Sequence, residues 1–137
     1  MRSVDVFVMP SFTEGTPNSV IEAMAHGRAV IASDVGGIPD VLDEESGIIV
    51  PPGDSEALAE ALVRLARDAP LRARMGRAAR ARYQSLFSPK AVLPVLLETY
   101  NRVAGKGGAS AAGNGNGREH PWANAPRAAD ERLRARA

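Results

Sequence analysis

Three short apolar runs, separated by stretches with helical periodicity, constrain the fold of this chain more than any other feature. The runs cover residues 4–9, 28–33 and 47–50 and are rich in Val and Ile. A buried helix can show the same pattern, but the short length and the β-branched content favour strands. Continuous apolar runs of this kind are typical of parallel strands that are covered on both faces. The sequence therefore predicts an α/β fold with three parallel strands in a βαβαβ arrangement, followed by two or three C-terminal helices.

The helix between the first two runs has its own start pattern. Thr16 and Pro17 fit an N-cap and a first helical residue, because a hydroxyl accepts an amide hydrogen and proline has none to lose. The sequence predicts a helix that begins at Pro17 and stops at Gly27, a residue type common just after helices. The predicted buried stripe of this helix is Val20, Ile21, Met24 and Ala25.

Longer helices are predicted in the second half of the chain. Asp54 or Ser55 is expected to cap the first, the second is expected to begin near Pro70, and Ser88 is expected to cap the third. Pro94 is expected to kink or weaken the third helix. The predicted buried residues are Leu58, Leu62, Leu65 and Ala69 in the first, Leu71, Met75, Ala78, Ala79 and Tyr83 in the second, and Val92, Leu96, Thr99, Tyr100 and Val103 in the third.

Composition excludes several function classes. The 137 residues carry a net charge of +1 and contain no cysteine, which excludes disulfides and thiolate chemistry. The arginine-rich stretch from 64 to 82 lacks interleaved aromatic residues, so we interpret it as a solvated helix face and expect no nucleic-acid partner. His26 and His120 lie too far apart in sequence to suggest a metal cluster, and no metal is expected. No run approaches the ~18–20 apolar residues of a membrane span, so we expect no integral membrane segment and a cytoplasmic protein.

Two carboxylates lie in and just after the loop that follows the first predicted strand. Glu14 lies in the loop before Gly15, and Glu22 lies one turn into the helix. A helix start attracts phosphate, the two oxygens of Glu22 suit a vicinal diol such as a ribose, and Glu14 suits a sugar hydroxyl. The alternative is that Glu14 is an exposed loop acid and Glu22 a solvated helix-face acid. Gly36 and Gly37, after the second strand, fit either a ligand site or only a tight turn.

Four motifs in order resemble those of one enzyme family. They read SFTEGTPNSVIEAMAHG, with Glu14 and Glu22, then AVIASDVGGIPD, GIIVPPGD and EALAEAL. Residues 3 to 103 resemble the donor-binding half-domain of the GT-B retaining glycosyltransferases of family 4. Arg28 and Asp40 are mild departures, since the family often has proline and glutamate there.

The resemblance implies transfer of a glycosyl group from a nucleotide-sugar donor to an acceptor hydroxyl, with retention and with no cofactor. It implies that Glu14 is the catalytic-site residue that contacts the donor sugar and that Glu22 holds the ribose. It also implies that amides near Gly15, Thr16 and Asn18 approach the sugar and diphosphate. Gly36 and Gly37 would border the donor pocket.

The resemblance also implies that this chain is only part of an enzyme. The Arg and Lys that stabilise the diphosphate and the domain that binds the acceptor belong to parts of the family that precede this segment. We therefore expect residues 1–104 to be about half of a GT-B C-terminal domain that is weakly active or inactive alone, so whether the chain is an enzyme stays open. The alternative is a noncatalytic nucleotide-sugar binding or interaction module. Residues 105–137, rich in Gly, Ala, Asn and Pro, are expected to form a disordered tail, and an exposed sheet edge suggests self-association.

Overall fold

The structure, a computed structural model, describes residues 4–104. Three strands alternate with helices, and three long helices follow or flank the sheet. In chain order the elements are β1 (Val6–Met9), α1 (Asn18–Ala25), β2 (Ala29–Ser33), α2 (Ile38–Val41), β3 (Gly47–Val50), α3 (Ser55–Arg67), α4 (Ala69–Leu86) and α5 (Pro89–Val103). The predicted α/β fold is thus confirmed, and the predicted tail lies outside the described residues.

The sheet is parallel and has the order β1-β2-β3. Val8 pairs with Ile31, which pairs in turn with Ile48 across the central strand. All five residues of β2 are buried, as expected for a strand with neighbours on both edges and helices on both faces. Within the described part of the chain β1 and β3 each have one neighbour, so both are edges; self-association through such an edge stays a prediction.

Side chains of the strands point alternately into two apolar clusters, one on each face of the sheet. One cluster joins β2 to α1 and α2 and includes Val30, Ala32 and Met24. The other joins β2 and β3 to α3 and includes Ile31 and Leu65. Because helices cover both faces of the sheet, the loops and helix ends meet at its edges.

Helix α4 passes under the amino-terminal edge of the sheet from one face to the other. It contributes Leu71 and Met75 to the α3 cluster and Ala79 to the α1 cluster. Gly76 lies at the crossing point, buried against the backbone of Gly27, and a β-carbon at Gly76 would overlap the Gly27 carbonyl. A glycine is required here because only a bare backbone lets α4 approach this closely.

Arginines of α4 hold the ends of other helices. Arg82 donates from Nε to the carbonyl of Val41 at 2.7 Å and from Nη1 to Oδ2 of Asp43 at 2.7 Å. Arg80 donates to the carbonyl of Ala25 at 2.7 Å, at the end of α1. Arg72 donates to the carbonyls of Leu65 and Ala66 near the end of α3. The interpretation of the arginine run as a solvated face is therefore incomplete, since these three side chains satisfy helix-terminal carbonyls.

The Asp43 carboxylate links this arginine to the turn before β3. Partial burial raises the pKa of Asp43, but hydrogen bonds from Ser46 and the charge of Arg82 more than offset it, so the pKa lies below its ordinary value. Ser46 is buried; its Oγ donates to Oδ1 of Asp43 at 2.7 Å and its N–H to the same oxygen at 2.9 Å. This turn anchors the start of β3 to α4.

The predicted start of α1 is one residue early. The helix begins at Asn18, with Pro17 preceding it, and no side chain caps its first turn. Pro17 is fully buried, and its carbonyl accepts from the amides of Val20 and Ile21 at 3.0 and 3.1 Å. Ala23 is buried although it was not predicted, whereas Ile21 and Ala25 are only half-buried.

The predicted caps of α3 and α5 are confirmed, but the predicted buried stripe of α3 is partly wrong and that of α5 is wrong. Asp54 accepts from the amide of Ala57, and Ser88 accepts from that of Ala91. In α3, Leu65 and Ala61 are buried, whereas Leu62 is exposed; Ala69, predicted for the same stripe, is exposed and begins α4. In α5 no residue is buried, and the helix continues through Pro94. The exposed large apolar residues of α5 are Val92, Leu93, Leu96, Leu97, Tyr100 and Val103.

Candidate functional site

Three loops leave the carboxyl ends of the strands at the same edge of the sheet. They cover residues 10–17 after β1, 34–37 after β2 and 51–54 after β3. Ligands of open α/β sheets bind at this edge, because the strands deliver their loops there while the helices shield the faces. The predicted site residues lie in the first two loops and in α1, so the topology places them at the expected edge.

Glu14 is held by its own loop. Its side chain is half-buried, and Ser11 Oγ donates to Glu14 Oε1 at 2.7 Å. A hydroxyl three residues before a loop carboxylate is a local contact, which fixes the carboxylate without help from another element. Sequence reasoning did not assign Ser11 a role, although its spacing from Glu14 was visible.

Gly36 and Gly37 pack directly on the loop that carries Glu14. Gly36 has φ +53°, and a β-carbon there would overlap the carbonyl of Glu14. The Gly37 amide donates to the carbonyl of Gly15 at 3.1 Å. A β-carbon at Gly37 would lie 2.8 Å from that carbonyl oxygen. The two glycines therefore hold loop 10–17 against loop 34–37. Their packing on another loop is more than the tight turn that the sequence predicted.

Gly15 itself has open space around it. No atom lies within 4 Å of the position that a β-carbon would occupy, and the residue is exposed. Thr16 beside it is exposed as well. This stretch of backbone is thus accessible at the loop surface while its carbonyl is tied down from behind by Gly37. An exposed, immobilised backbone is suited to contact a ligand closely.

The start of α1 offers fewer amides than the sequence suggested. The Asn18 amide donates to the carbonyl of Thr16 at 2.9 Å, so it already has an acceptor within the turn. The side chain of Asn18 is exposed, and Glu22 is exposed one turn further along α1. The structure thus gathers Glu14, Gly15, Gly36 and Gly37 into one set of contacts and leaves Asn18 and Glu22 on the exposed surface of the adjoining helix.

Other features of the described residues do not coincide with this edge. A groove of about 570 Å³ lies against β3, α3 and α4, and it contains none of the predicted site residues. Its lining residues include Glu44, Ile48, Arg64, Arg74 and Met75. Among residues 4–104 no group of three His, Asp or Glu side chains is placed to hold a metal ion. No helix in the same range is long and apolar enough to cross a membrane.

Comparison with known proteins finds glycosyltransferases that are similar to this sequence. The family described as Glycosyl transferases group 1 matches residues 1–68. Residues 1–68 therefore belong to the group 1 glycosyl transferases. A D-inositol 3-phosphate glycosyltransferase of Saccharomonospora viridis is 40% identical over 103 residues, which make up 74% of this chain and 24% of that protein. The amylovoran biosynthesis glycosyltransferase AmsK of Erwinia amylovora is 36% identical over 111 residues, 76% of this chain and 27% of that protein.

Several solved structures share the fold of this chain. Sucrose-phosphate synthase of Thermosynechococcus elongatus matches with a TM-score of 0.71 and 38% identity, over 75% of this chain and 26% of that chain. Anabaena HepE in complex with UDP matches with a TM-score of 0.71 and 23% identity, over 74% of this chain and 28% of that one, which shows the fold alone. The C-terminal domain of a group 1 protein, LpcC of Francisella tularensis, matches with a TM-score of 0.59 and 32% identity, over 64% of this chain and 45% of that domain.

These matches confirm the predicted GT-B architecture of the described residues and its partial extent. The chain spans about a quarter of the length of the curated relatives named above. It covers 45% of the isolated LpcC domain, in agreement with the prediction of about half of a C-terminal domain.

Proposed function

We propose that this chain provides the donor-binding part of a glycosyltransferase that moves a glycosyl group from a nucleotide sugar to an acceptor hydroxyl. The observation that carries the proposal is the packing of Gly36 and Gly37 on the Glu14–Gly15 loop at the carboxyl edge of the sheet. That packing holds a carboxylate and an accessible backbone side by side, in a chain 40% identical to a glycosyltransferase over most of its length. HepE, which has the same fold, is described as a complex with UDP.

In this proposal the ligand spans the loop and α1. Glu14 accepts hydrogen bonds from hydroxyls of the donor sugar, and Ser11 keeps its carboxylate in place. Gly15 and Thr16 lie against the sugar and the diphosphate, where the missing side chain of Gly15 permits close approach. Gly36 and Gly37 act indirectly, because they position the loop. Asn18 contributes its side chain rather than its engaged amide.

Glu22 is assigned to the ribose of the nucleotide. Its carboxylate is exposed on α1, one turn from the helix start that faces the loop. Two carboxylate oxygens can accept from both hydroxyls of a vicinal diol. This arrangement would orient the nucleotide along α1 and leave the anomeric carbon of the sugar near Glu14. We further propose that the reaction proceeds with retention, as in family 4, and that it needs no metal ion.

One observation favours a second candidate function, that of a noncatalytic binding or interaction module. The loops 10–17, 34–37 and 51–54 contain no Lys or Arg. Departure of a nucleoside diphosphate requires positive charge to stabilise it. These loops alone do not supply that charge, so the chain by itself would bind a nucleotide sugar weakly and transfer it slowly or not at all. A noncatalytic binding or interaction module would show the same loops and would bind without transfer.

The test compares UDP with pyrophosphate, which lacks the ribose. Each ligand is titrated by isothermal calorimetry or NMR into the wild-type chain and into Glu22→Ala. Loss of a hydrogen-bonded carboxylate is expected to weaken UDP binding about tenfold or more, with little effect on pyrophosphate. Glu60→Ala removes an exposed glutamate from α3 and serves as the matched control. Equal losses for both ligands would remove Glu22 from the ribose site, and no UDP binding at millimolar concentration would overturn donor binding by this chain.

A further inference from the structure

The hydrogen bond between Ser11 and Glu14 makes the two oxygens of the Glu14 carboxylate unequal. Ser11 Oγ donates to Glu14 Oε1 at 2.7 Å, a length typical of a bond between a hydroxyl and a charged carboxylate. A carboxylate only accepts hydrogen bonds, and a serine hydroxyl has a single hydrogen to donate. The bond therefore engages Oε1 from within the loop and leaves Oε2 as the oxygen for a ligand hydroxyl.

The backbone on both sides of this bond packs against other loops. Ser11 lies two residues after β1, and the ring of its neighbour Phe12 reaches the loop after β3, where a β-carbon on Gly53 would lie 3.2 Å from Cε1 of Phe12. The main chain of Glu14 packs on Gly36 in the loop after β2. Because these contacts hold the backbone, the bond from Ser11 restrains what they leave free, the side-chain torsions of Glu14.

Such a restraint matters most when a ligand binds. A glutamate has several side-chain torsions, and ordering them during binding opposes affinity. A side chain that is already ordered in the free protein avoids that loss. Ser11 orders the half-buried Glu14 side chain before the ligand arrives, and this effect depends on the serine hydroxyl.

We propose that Ser11 is a positioning residue that holds Oε1 of Glu14, so that Glu14 accepts from one hydroxyl of the donor sugar through Oε2. The inference rests on the proposed function, which assigns Glu14 to the sugar. A free carboxylate can accept from two neighbouring hydroxyls, one on each oxygen, whereas this carboxylate has one oxygen engaged by its own loop. The donor site thus distinguishes sugars by one hydroxyl beside Glu14, and Ser11 acts through the carboxylate rather than on the sugar.

The experiment measures the dissociation constants of the complete chain for UDP and for UDP-glucose by isothermal calorimetry. The ratio of the UDP constant to the UDP-glucose constant isolates the contribution of the sugar. Ser11→Ala is expected to lower this ratio about 2- to 10-fold, the range for ordering one side chain on binding, and to leave the affinity for UDP unchanged. Ser11→Thr keeps a hydroxyl and is expected to restore the ratio.

Ser19→Ala is the matched control for the loss of a serine hydroxyl. Ser19 lies in the first turn of α1, beside the same loop, but its Oγ donates to Met9 Sδ at 3.2 Å and not to a carboxylate. Its removal is expected to leave the ratio of the two constants unchanged.

Further measurements separate positioning from direct contact. In a Glu14→Ala background, Ser11→Ala is expected to cause no additional loss, because Ser11 acts through Glu14. Among UDP-glucose analogues that each lack one sugar hydroxyl, the loss that depends on Glu14 is expected at a single position. In the ligand-free chain, side-chain J couplings of Glu14 are expected to show one rotamer in the wild type and rotamer averaging in Ser11→Ala.

Three results would overturn the role of Ser11. They are an unchanged ratio in Ser11→Ala, additive losses in the double variant, and losses that depend on Glu14 at two sugar hydroxyls. The ligand-free J couplings and the affinity for UDP distinguish this failure from that of the proposed function. A Glu14 side chain that loosens in Ser11→Ala, in a chain that does not bind UDP, keeps the restraint and overturns the donor site. Binding of UDP-glucose that is insensitive to the Ser11 hydroxyl keeps the donor site and overturns the positioning.

Discussion

The α-carbon of Gly36 lies against the main-chain carbonyl of Glu14, with no room between them for a β-carbon. This contact joins the loop after β2 to the loop after β1 at the one place where a candidate sugar-binding carboxylate is held. It makes the position of Glu14 depend on a residue 22 positions further along the chain. The consequences of this dependence can be measured.

Gly36→Ala is expected to damage both the fold and ligand binding. The new methyl group would overlap the Glu14 carbonyl, and the left-handed φ of +53° is unfavourable for alanine. We expect a loss of about 1–3 kcal/mol in the free energy of unfolding, measured by urea denaturation, and weaker UDP binding. Gly15→Ala is the matched control for the fold, because a β-carbon there meets open space. It is expected to keep stability and to weaken only UDP binding, so unchanged stability in Gly36→Ala would contradict the packing.

Gly76→Ala is expected to reverse the usual effect of alanine in a helix. Alanine inside a helix is favoured over glycine by about 1 kcal/mol. At Gly76, however, the methyl group would overlap the carbonyl of Gly27 and push α4 away from the sheet edge. Overpacking of this kind costs about 1–3 kcal/mol, so a net decrease in unfolding free energy is expected in a urea melt. Ala81→Gly, at an exposed position of α4, measures the ordinary difference in helix propensity between alanine and glycine. A more stable Gly76→Ala variant would show that α4 does not cross as described.

Arg82→Lys is expected to be nearly as harmful as Arg82→Ala. The guanidinium donates to three groups, the carbonyls of Val41 and Asp40 and the carboxylate of Asp43, each through a different nitrogen. A lysine ammonium keeps the charge but cannot donate in several directions from separate nitrogens, as the planar guanidinium does. Loss of the bonds to the end of α2 is expected to cost about 1–3 kcal/mol in thermal or urea unfolding. Full rescue by lysine would mean that charge alone matters at this position.

Asp43→Asn is expected to have an effect that depends on pH. The pKa of Asp43 is lowered in the folded protein, so its contribution to stability is present above the unfolded value of about 4 and is lost as pH falls through the folded value. The carboxylate is partly exposed, and the expected cost at pH 7 is no more than about 1 kcal/mol. Melting temperatures of the two proteins should therefore differ at pH 7 and converge toward acidic pH. A difference that persists at pH 2 would not come from this titration.

The fold was largely readable from the sequence because its signals are local. Runs such as Ala29–Ser33 have the length and branching of buried parallel strands, and Asp54 and Ser88 cap helices through contacts three residues away. The buried stripe of α5 was predicted wrongly for the opposite reason. An apolar face at helical spacing shows that a helix is amphipathic, but burial requires a partner surface, and none of residues 4–104 buries this one.

The candidate site was only half readable. Glu14 and Glu22 were predicted through a motif, and their roles stay predictions, whereas the packing of the Gly36–Gly37 pair depends on contact with a loop that is distant in sequence. The same is true of Phe12 and Gly53, which no periodicity links. The engaged amide of Asn18 was missed because the turn at Pro17 differs from a standard capped start. Contacts between loops of a parallel sheet follow from strand order, which sequence alone determines only in outline.

The most direct test of donor binding at the carboxyl edge is a titration of the ¹⁵N-labelled chain with UDP, followed by heteronuclear NMR with assigned amides. The account predicts that the largest chemical-shift changes map to Gly15, Thr16, Glu22 and Gly36. These residues lie in or beside loop 10–17, which Gly36 and Gly37 hold in place. Shifts confined to the groove beside β3, at residues such as Ile48 and Arg74, or no shifts at millimolar UDP, would contradict it.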